Sequence, residues 1–162
     1  SRLVIMSVPH PAGFGREMAG NPEQQKNSQY ARDFQTPDFE KHLTAEGLAG
    51  WVKDPDARAG YVEAFRRSSF AGMLNYYRAN YPSGAGEDAP VSAAATPPVQ
   101  APVLVIHGMQ DKALAAAGHA GTWDHVARDT TLLMIPDADH FVQHDAETLV
   151  NRTIRSWLAD RR

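Results

Sequence analysis

Three short runs of consecutive apolar residues punctuate the chain, and such runs are typical of strands buried on both faces. They cover residues 3–8, which Ser7 interrupts, 103–106, and 131–135, which begins with Thr131. The first run ends at Pro9-His10-Pro11, because proline cannot continue a sheet ladder. Gly13 and Gly15 follow, and we expect them to lie in a loop. Since helical segments separate the strands, the pattern predicts an α/β fold with parallel strands.

From about residue 21 to residue 80 the apolar residues recur at the spacing of helices. Asn21-Pro22 predicts the start of a first helix through Tyr30 and Phe34, and Thr36-Pro37 predicts its end. Three further helices are expected here: 39–51, 54–67, and one carrying Phe70, Met73, Leu74 and Tyr77 on one face. Beyond them, we expect a helix at 113–128 and a last one at 146–158, with Leu149, Ile154, Trp157 and Leu158 buried.

Changes in composition divide the chain into four segments. An opening strand and its exit (1–12) precede a helical region (13–88), a connector rich in proline and alanine (89–102) and an α/β region (103–162). Three parallel strands alone would leave the buried edges of the sheet uncovered. We therefore expect further strands outside this sequence and interpret the chain as the C-terminal part of a longer protein.

Charge and composition exclude several classes of protein. The 162 residues are 43% hydrophobic and 22% charged, with a net charge of −3. There is no basic field for nucleic acid or for an anionic membrane surface. The absence of cysteine excludes disulfides and thiol chemistry, and it fits a reducing compartment, so we expect a cytoplasmic protein.

The polar residues that could carry chemistry follow two of the predicted strands. Asp111 comes after the second strand and His140 after the third. Reactive groups of parallel sheets collect beyond the carboxyl ends of the strands, so the two side chains could meet. A carboxylate that accepts from one ring nitrogen of histidine fixes its tautomer and supports the imidazolium. The arrangement predicts a general base, His140, that is oriented by Asp111.

Other interpretations of these residues stay open. Asp111 could be a helix cap, and His140 could be a surface histidine. Asp137 and Asp139 are rival acids, although both lie very near the histidine in sequence. The spacing of His140 and His144 suits a metal, but the glutamate of the zinc-protease motif is absent, so neither a metal nor another cofactor is expected.

The order of the residues resembles the C-terminal half of the α/β-hydrolase fold. That fold runs nucleophile, acid and then histidine along the chain. Here an acid and a histidine follow successive strands, a closing helix comes last, and no Gly-x-Ser-x-Gly motif precedes them. The resemblance implies that the nucleophile elbow lies outside these residues.

Five segments more closely resemble epoxide hydrolases and their dehalogenase relatives. Val4 to Pro11 resembles the strand and exit before the helical cap of this family. Asn75-Tyr76-Tyr77-Arg78 resembles the cap segment in which a tyrosine precedes arginine, and Tyr30, ahead of Phe34-Gln35-Thr36-Pro37, resembles the second cap tyrosine. Residues 103–111 and 135–143 resemble the segments that carry the acid and the histidine in this family.

The resemblance implies a mechanism and a set of site residues. An aspartate outside the chain would attack an epoxide carbon, and Tyr30 and Tyr77 would hydrogen-bond the epoxide oxygen. His140, oriented by Asp111, would then activate water to release a vicinal diol. The implied partners are a small-molecule epoxide and the N-terminal half of the hydrolase, in cis or as a second chain. Side chains expected to line the substrate site are Phe34, Leu114 and Phe141.

Several alternatives remain at this point. Tyr77 could be only a core aromatic, and Tyr76 is its rival. A dehalogenase would need indole donors such as Trp51 or Trp123, a serine esterase would use the same acid and histidine, and the chain alone could be inert. Asp137 and Asp139 replace small residues of the family pattern, and their charge should raise the pKa of the neighbouring histidine.

Overall fold

The computed structural model describes residues 1–81 and 97–160. The chain forms two compact units, one of Ser1–Ser28 with Asp88–Arg162 and one of Gln29–Glu87. The three strands are β1 (Leu3–Met6), β2 (Val103–Gly108) and β3 (Thr130–Ile135). The α-helices are α1 (Pro11–Gly20), α2 (Pro22–Asn27), α3 (Gln29–Asp33), α4 (Ala45–Leu48), α5 (Pro55–Arg66), α6 (Phe70–Asn80), α7 (Val142–Asp145) and α8 (Glu147–Ala159). Short 3₁₀ helices cover Phe39–His42, Ala116–His119 and Thr122–His125.

The first unit contains a parallel sheet in the order β1-β2-β3. Leu3 pairs with Val103, which in turn pairs with Thr130. All six residues of β2 are buried, as expected of the central strand. The three predicted strands and their parallel pairing are therefore confirmed, although β1 ends at Met6 because Ser7 adopts a left-handed conformation with φ of 56°.

The core of the first unit lies between one face of the sheet and the last two helices. Its buried members are Leu104, Ile106, Ile135, Ala138, Val142, Val150 and Trp157. The indole of Trp157 also donates to the Thr131 hydroxyl over 3.1 Å. The predicted last helix is confirmed, with Leu149 and Ile154 packed against this core. Leu158, which we expected to be buried, is 37% exposed.

Residues 11–20 form a helix, so the loop expected around Gly13 and Gly15 was wrong. Pro11 occupies the first turn of α1, and the ring of His10 accepts a hydrogen bond from the amide of Ala12. Gly13 is required by packing, since a Cβ there would lie 2.0 Å from the carbonyl oxygen of Gly118. Close contact with a distant segment, which local sequence does not reveal, favours the helix.

The second compact unit begins later than the helical region that we predicted. Helices α1 and α2 both belong to the compact unit that contains the sheet. The cap boundary placed at residue 13 therefore differs from the boundary of the second unit, which begins at Gln29. The reason is packing, since α1 contacts the 3₁₀ helix Ala116–His119.

The helix predicted at 113–128 was wrong. Two 3₁₀ helices take its place, and Gly121 between them has a positive φ of 80°. Such a conformation ends a helix and suits glycine.

The second unit consists of short helices. The third and fourth predicted helices are confirmed as α5 and α6, which Asp54 and Ser69 cap. The helix expected through Tyr30 and Phe34 is divided between α2 and α3, and the one expected at 39–51 is reduced to a 3₁₀ helix and α4. Most of the predicted connector, 89–96, lies outside the described residues.

Within residues 1–81 and 97–160, no helix has the length and apolar character needed to cross a bilayer.

Candidate active site

Asp111 lies in the turn that follows β2, and its carboxylate is almost completely buried, with 1% of the side chain exposed. Oδ1 accepts hydrogen bonds from the amides of Ala113 (2.8 Å) and Leu114 (2.9 Å). Oδ2 lies 2.8 Å from Nδ1 of His140. Asp111 therefore organises its own turn, as a cap would, and contacts the histidine with its second oxygen.

Gly108 allows the turns after β2 and β3 to meet. A Cβ at this position would lie 2.3 Å from the carbonyl oxygens of both Ala138 and Asp139. Backbone hydrogen bonds join the two turns, from the amide of Met109 to Ile135 (2.8 Å) and from that of Gln110 to Ala138 (2.9 Å). The approach of Asp111 to His140 is thus fixed by backbone contacts of the sheet edge.

The surroundings of the pair shift both pKa values in opposite directions. Burial of the Asp111 carboxyl, the largest single influence, works to raise its pKa. The hydrogen bonds from His140, Leu114 and Ala113 outweigh burial, so the pKa is lowered and Asp111 is ionised. The hydrogen bond to Asp111 raises the pKa of His140 against the effect of burial, and the charges of Asp111 and Asp139 raise it further.

The two rival acids have other partners. Oδ1 of Asp139 accepts from the backbone amides of His140 (2.7 Å) and Lys112 (3.3 Å), and Asp137 is exposed. Asp111 is therefore the carboxylate that contacts the ring of His140. We expected the charge of a neighbouring carboxylate to raise the pKa of His140, and the charge of Asp139 does so. Nδ1 of His140 faces Asp111, so Nε2 is the nitrogen that can take a proton from water.

Two buried histidines near this pair were not singled out in the sequence. His107, on β2, and His119 are both fully enclosed, and their rings meet edge to face with centroids 4.4 Å apart. Nδ1 of His107 lies 3.9 Å from Oδ2 of Asp111. Burial lowers the pKa of both, that of His119 to about 4, so they are neutral at pH 7. The position of His107 inside an otherwise apolar strand was the signal that could have found it.

The second unit contains a cluster of aromatic rings. The ring centroid of Tyr77 lies 5.9 Å from that of Tyr30 and 4.9 Å from that of Phe34, both in edge-to-face contacts. Tyr77 is partly buried, and burial followed by the charge of Tyr76 raises its pKa. Tyr76 is 64% exposed. Of the two candidate tyrosines on α6, Tyr77 is therefore the one in contact with Tyr30.

The predicted site residues thus fall into two groups. In the first unit, Leu114 binds Asp111 through its amide, and the ring of Phe141 contacts that of His140 with centroids 5.0 Å apart. In the second unit, Tyr30, Phe34 and Tyr77 contact one another. In the part of the chain that the structure describes, no group of three or more acidic, histidine or cysteine side chains could hold a metal ion.

The fold identifies the class of protein. The structure aligns with a TM-score of 0.79 to a mutant epoxide hydrolase from Bacillus megaterium, at 24% identity, covering 98% of this chain and 60% of that one. The sheet order, the Asp–His pair at its edge and this alignment define the C-terminal part of an α/β-hydrolase fold.

Relatives of higher identity are epoxide hydrolases. One of the novel epoxide hydrolases from metagenomes of hot environments is 30% identical, with a TM-score of 0.77, and 97% of this chain covers 58% of it. Epoxide hydrolase 3 of Xenopus tropicalis is 29% identical over 99% of this chain and 46% of its own length. Epoxide hydrolase 2 of Caenorhabditis elegans is 31% identical over 93% of this chain and 45% of its own length. No family model matches the chain. The chain spans about half the length of these curated relatives and is similar to their C-terminal portion.

Proposed function

We propose that this chain contributes the acid, the base and two tyrosines to an enzyme that opens epoxides to vicinal diols. The observation that carries the proposal is the contact between Tyr30 and Tyr77, because two phenols suit an epoxide better than other substrates of hydrolases. The similarity to epoxide hydrolases of two animals and of hot environments supports it. We assign the second unit, Gln29–Glu87, as the cap.

The first chemical step needs a donor for the epoxide oxygen. A carboxylate oxygen attacks one epoxide carbon, the bond between that carbon and the epoxide oxygen breaks, and an alkyl ester forms. An alkoxide is a very poor leaving group, so the departing oxygen must receive a hydrogen bond or a proton. A phenol can donate at neutral pH without being ionised, and the raised pKa of Tyr77 keeps it protonated.

The second step uses the Asp–His pair. Nε2 of His140 takes a proton from water, and the resulting hydroxide attacks the carbonyl carbon of the ester. The ionised Asp111 stabilises the imidazolium and keeps Nδ1 protonated. The bond between the carbonyl carbon and the ester oxygen breaks, the departing oxygen takes the proton from Nε2 of His140, and the diol leaves. The carboxylic acid that remains gives up its proton, to a phenolate if a tyrosine lost its proton in the first step and otherwise to solvent, which restores the nucleophilic carboxylate. Phe34, Leu114 and Phe141 are the side chains that we propose to contact the substrate.

The nucleophile is proposed to be an aspartate in a segment that these 162 residues do not include. The relatives extend beyond the matched region, and the sequence has no Gly-x-Ser-x-Gly motif. The ladder of β1 to β2 uses only one edge of β1, which leaves the other edge for a further strand. The N-terminal half of the hydrolase, in cis or as a second chain, is thus the proposed partner, and the chain alone is inactive.

The two other hydrolase reactions receive less support. A halide needs indole or imidazole donors, but the indole of Trp123 is 56% exposed and the ring of Trp51 packs on Tyr61. A serine esterase would use the same acid and histidine, and it would leave the tyrosine pair without a role.

The test is diol formation from styrene oxide by the complete reading frame that encodes this chain. Tyr30→Phe and Tyr77→Phe should each lower kcat/KM about a hundredfold, since each removes one donor to the developing charge. His140→Gln should still form the ester, so the intact protein should gain the mass of one substrate molecule. Tyr76→Phe, a change on the exposed side of α6, is the matched control and should leave turnover unchanged.

Three results would contradict the proposal. Unchanged turnover in His140→Gln would remove the histidine from the reaction, and loss of activity in Tyr76→Phe but not in Tyr77→Phe would reverse the assignment of the tyrosine. Hydrolysis of an ester substrate without diol formation would favour the esterase.

A further inference from the structure

The segment that follows Asp111 has little regular structure to hold it in place. Residues 111–120, which we name the acid loop, contain only the 3₁₀ helix Ala116–His119. Its conformation nevertheless fixes the Asp111 carboxylate, because the amides of Ala113 and Leu114 bind Oδ1. Some other part of the chain must therefore hold those amides in position.

Gln24, on α2, binds the acid loop through both ends of its side-chain amide. Its Nε2 donates to the carbonyl oxygen of Ala113 over 2.8 Å, and its Oε1 accepts from the amide of Ala115 over 2.7 Å. The same Nε2 donates to the hydroxyl of Ser28 over 2.9 Å. Gln24 is 1% exposed. A buried amide with its donors and its acceptor engaged is costly to disturb, so Gln24 holds the loop in one conformation.

The bond to Ala113 acts on the peptide group that binds Asp111. The carbonyl of Ala113 and the amide nitrogen of Leu114 belong to one planar peptide unit. The side chain of Gln24 donates to the oxygen of this peptide unit, and the N–H of the same unit, which belongs to Leu114, donates to Oδ1 of Asp111. Rotation of the peptide plane would therefore break both bonds together. Hydrogen bonds in such a series polarise and strengthen one another.

Helices α1 and α2 hold Gln24 itself and the far end of the loop. Asn21 caps α2 by accepting from the amide of Gln24 (3.4 Å). Arg16, on α1, donates to the carbonyl oxygens of Ala117 (2.9 Å) and Ala120 (3.2 Å). The acid loop is thus bound along its length by side chains from residues 16–24, and Gln24 is the one that contacts the part next to Asp111.

We propose that Gln24 is a positioning residue for the Asp111–His140 pair and acts through the peptide group between Ala113 and Leu114. Its catalytic meaning rests on the proposed function, but its effect on the pair is independent of any substrate. Loss of Gln24 frees the acid loop, weakens the hydrogen bond between Asp111 and His140 and leaves the histidine poorly oriented.

The direct test is an NMR titration of the His140 ring in the 162-residue chain. Gln24→Met, which keeps the length of the side chain but not its amide, should lower the pKa of His140 towards the ordinary value of 6.5. Gln25→Met is the matched control, since Gln25 lies on the same helix and donates to Met18 outside the acid loop. It should leave the titration of His140 unchanged.

A milder variant keeps the test decisive if Gln24→Met does not fold. Ser28→Ala removes one acceptor of Nε2 and should lower the pKa of His140 by a smaller amount. The titration follows cross-peaks of the folded chain, so a loss of stability alone does not move it. An unchanged pKa of His140 in folded Gln24→Met, or in Ser28→Ala if the former is unfolded, would overturn the proposal.

Assays of the complete reading frame separate this inference from the proposed function. Gln24→Met should lower kcat for diol formation by roughly tenfold to a hundredfold and lower KM with it, because a misaligned base slows only hydrolysis of the ester and the alkyl-enzyme accumulates. The acid limb of its pH profile should move to lower pH. If the wild-type enzyme forms no diol but the His140 titration shifts in Gln24→Met, the proposed function fails and the positioning role stands. If the wild-type enzyme forms diol and the His140 titration does not shift in Gln24→Met, the positioning role fails and the proposed function stands.

Discussion

At the scale of single residues, two carboxylates near His140 have different tasks. Asp111 is buried and binds the ring, whereas Asp139 is partly exposed and binds backbone amides of His140 and Lys112. Both raise the pKa of His140, Asp111 through a hydrogen bond and through charge, Asp139 through charge alone. A base with a raised pKa is stronger, but more of it is protonated at a given pH. Asp139 therefore adds to the shift that Asp111 causes, and it moves the pH at which the proposed base becomes neutral further upward.

Asp139→Asn should lower the pKa of His140. The amide oxygen can still accept from the two backbone amides, so the change removes the charge and keeps the turn. Because His140 must be neutral to act as a base, the acid limb of the proposed activity should move to lower pH, as should the NMR titration of the ring. Asp137→Asn, a change of an exposed residue in the same turn, is the control. An equal shift in both variants would show that general charge, and not the position of Asp139, matters.

At the scale of elements, the sequence predicted what local pattern controls. The strands and the helices α5, α6 and α8 follow from apolar periodicity, and capping residues such as Asp54 mark where two of them begin. The prediction from sequence failed where contacts between distant segments determine the local structure, as for α1, whose Gly13 packs against Gly118. The same distinction holds for the site. Asp111 and His140 were predictable from strand order, but Gln24 and His119 depend on hydrogen bonds and burial that no local pattern encodes.

Gly108→Ala should separate the turns after β2 and β3. The added Cβ would meet two backbone carbonyl oxygens at 2.3 Å, and backbone cannot yield as a flexible side chain would. We expect the free energy of unfolding to fall by about 1–3 kcal/mol or more, measured by urea denaturation. Gly15→Ala in α1 is the control. Nothing lies within 4 Å of its added Cβ, so it should stabilise by about 0.5–1 kcal/mol. Equal stability of Gly108→Ala and wild type would contradict the close approach.

At the scale of the whole molecule, histidines give opposite contributions to stability as pH changes. The pKa of His140 is raised in the folded chain, so protonated His140 stabilises the fold. This contribution is fully present below pH 6.5, the pKa of the unfolded chain, and it is lost as pH rises through the folded pKa. His107 and His119 are buried and neutral, so the unfolded chain binds more protons than the folded chain below 6.5. Between pH 6.5 and about 5 the contribution of His140 is nearly constant. The two buried histidines therefore dominate the histidine contribution to stability in this range.

The free energy of unfolding should therefore fall on acidification from pH 6.5 to about 5. Burial, then the charge of His107, lowers the pKa of His119 to about 4, while Asp111 acts in the opposite direction. A single buried group with this pKa accounts for a loss on the order of 2 kcal/mol. In His119→Gln this dependence should be much shallower, because the amide does not titrate. His42→Gln, a change of an exposed histidine, should retain the wild-type slope. Urea denaturation at several pH values measures each slope, and equal slopes for His119→Gln and wild type would mean that His119 is accessible to protons in the folded chain.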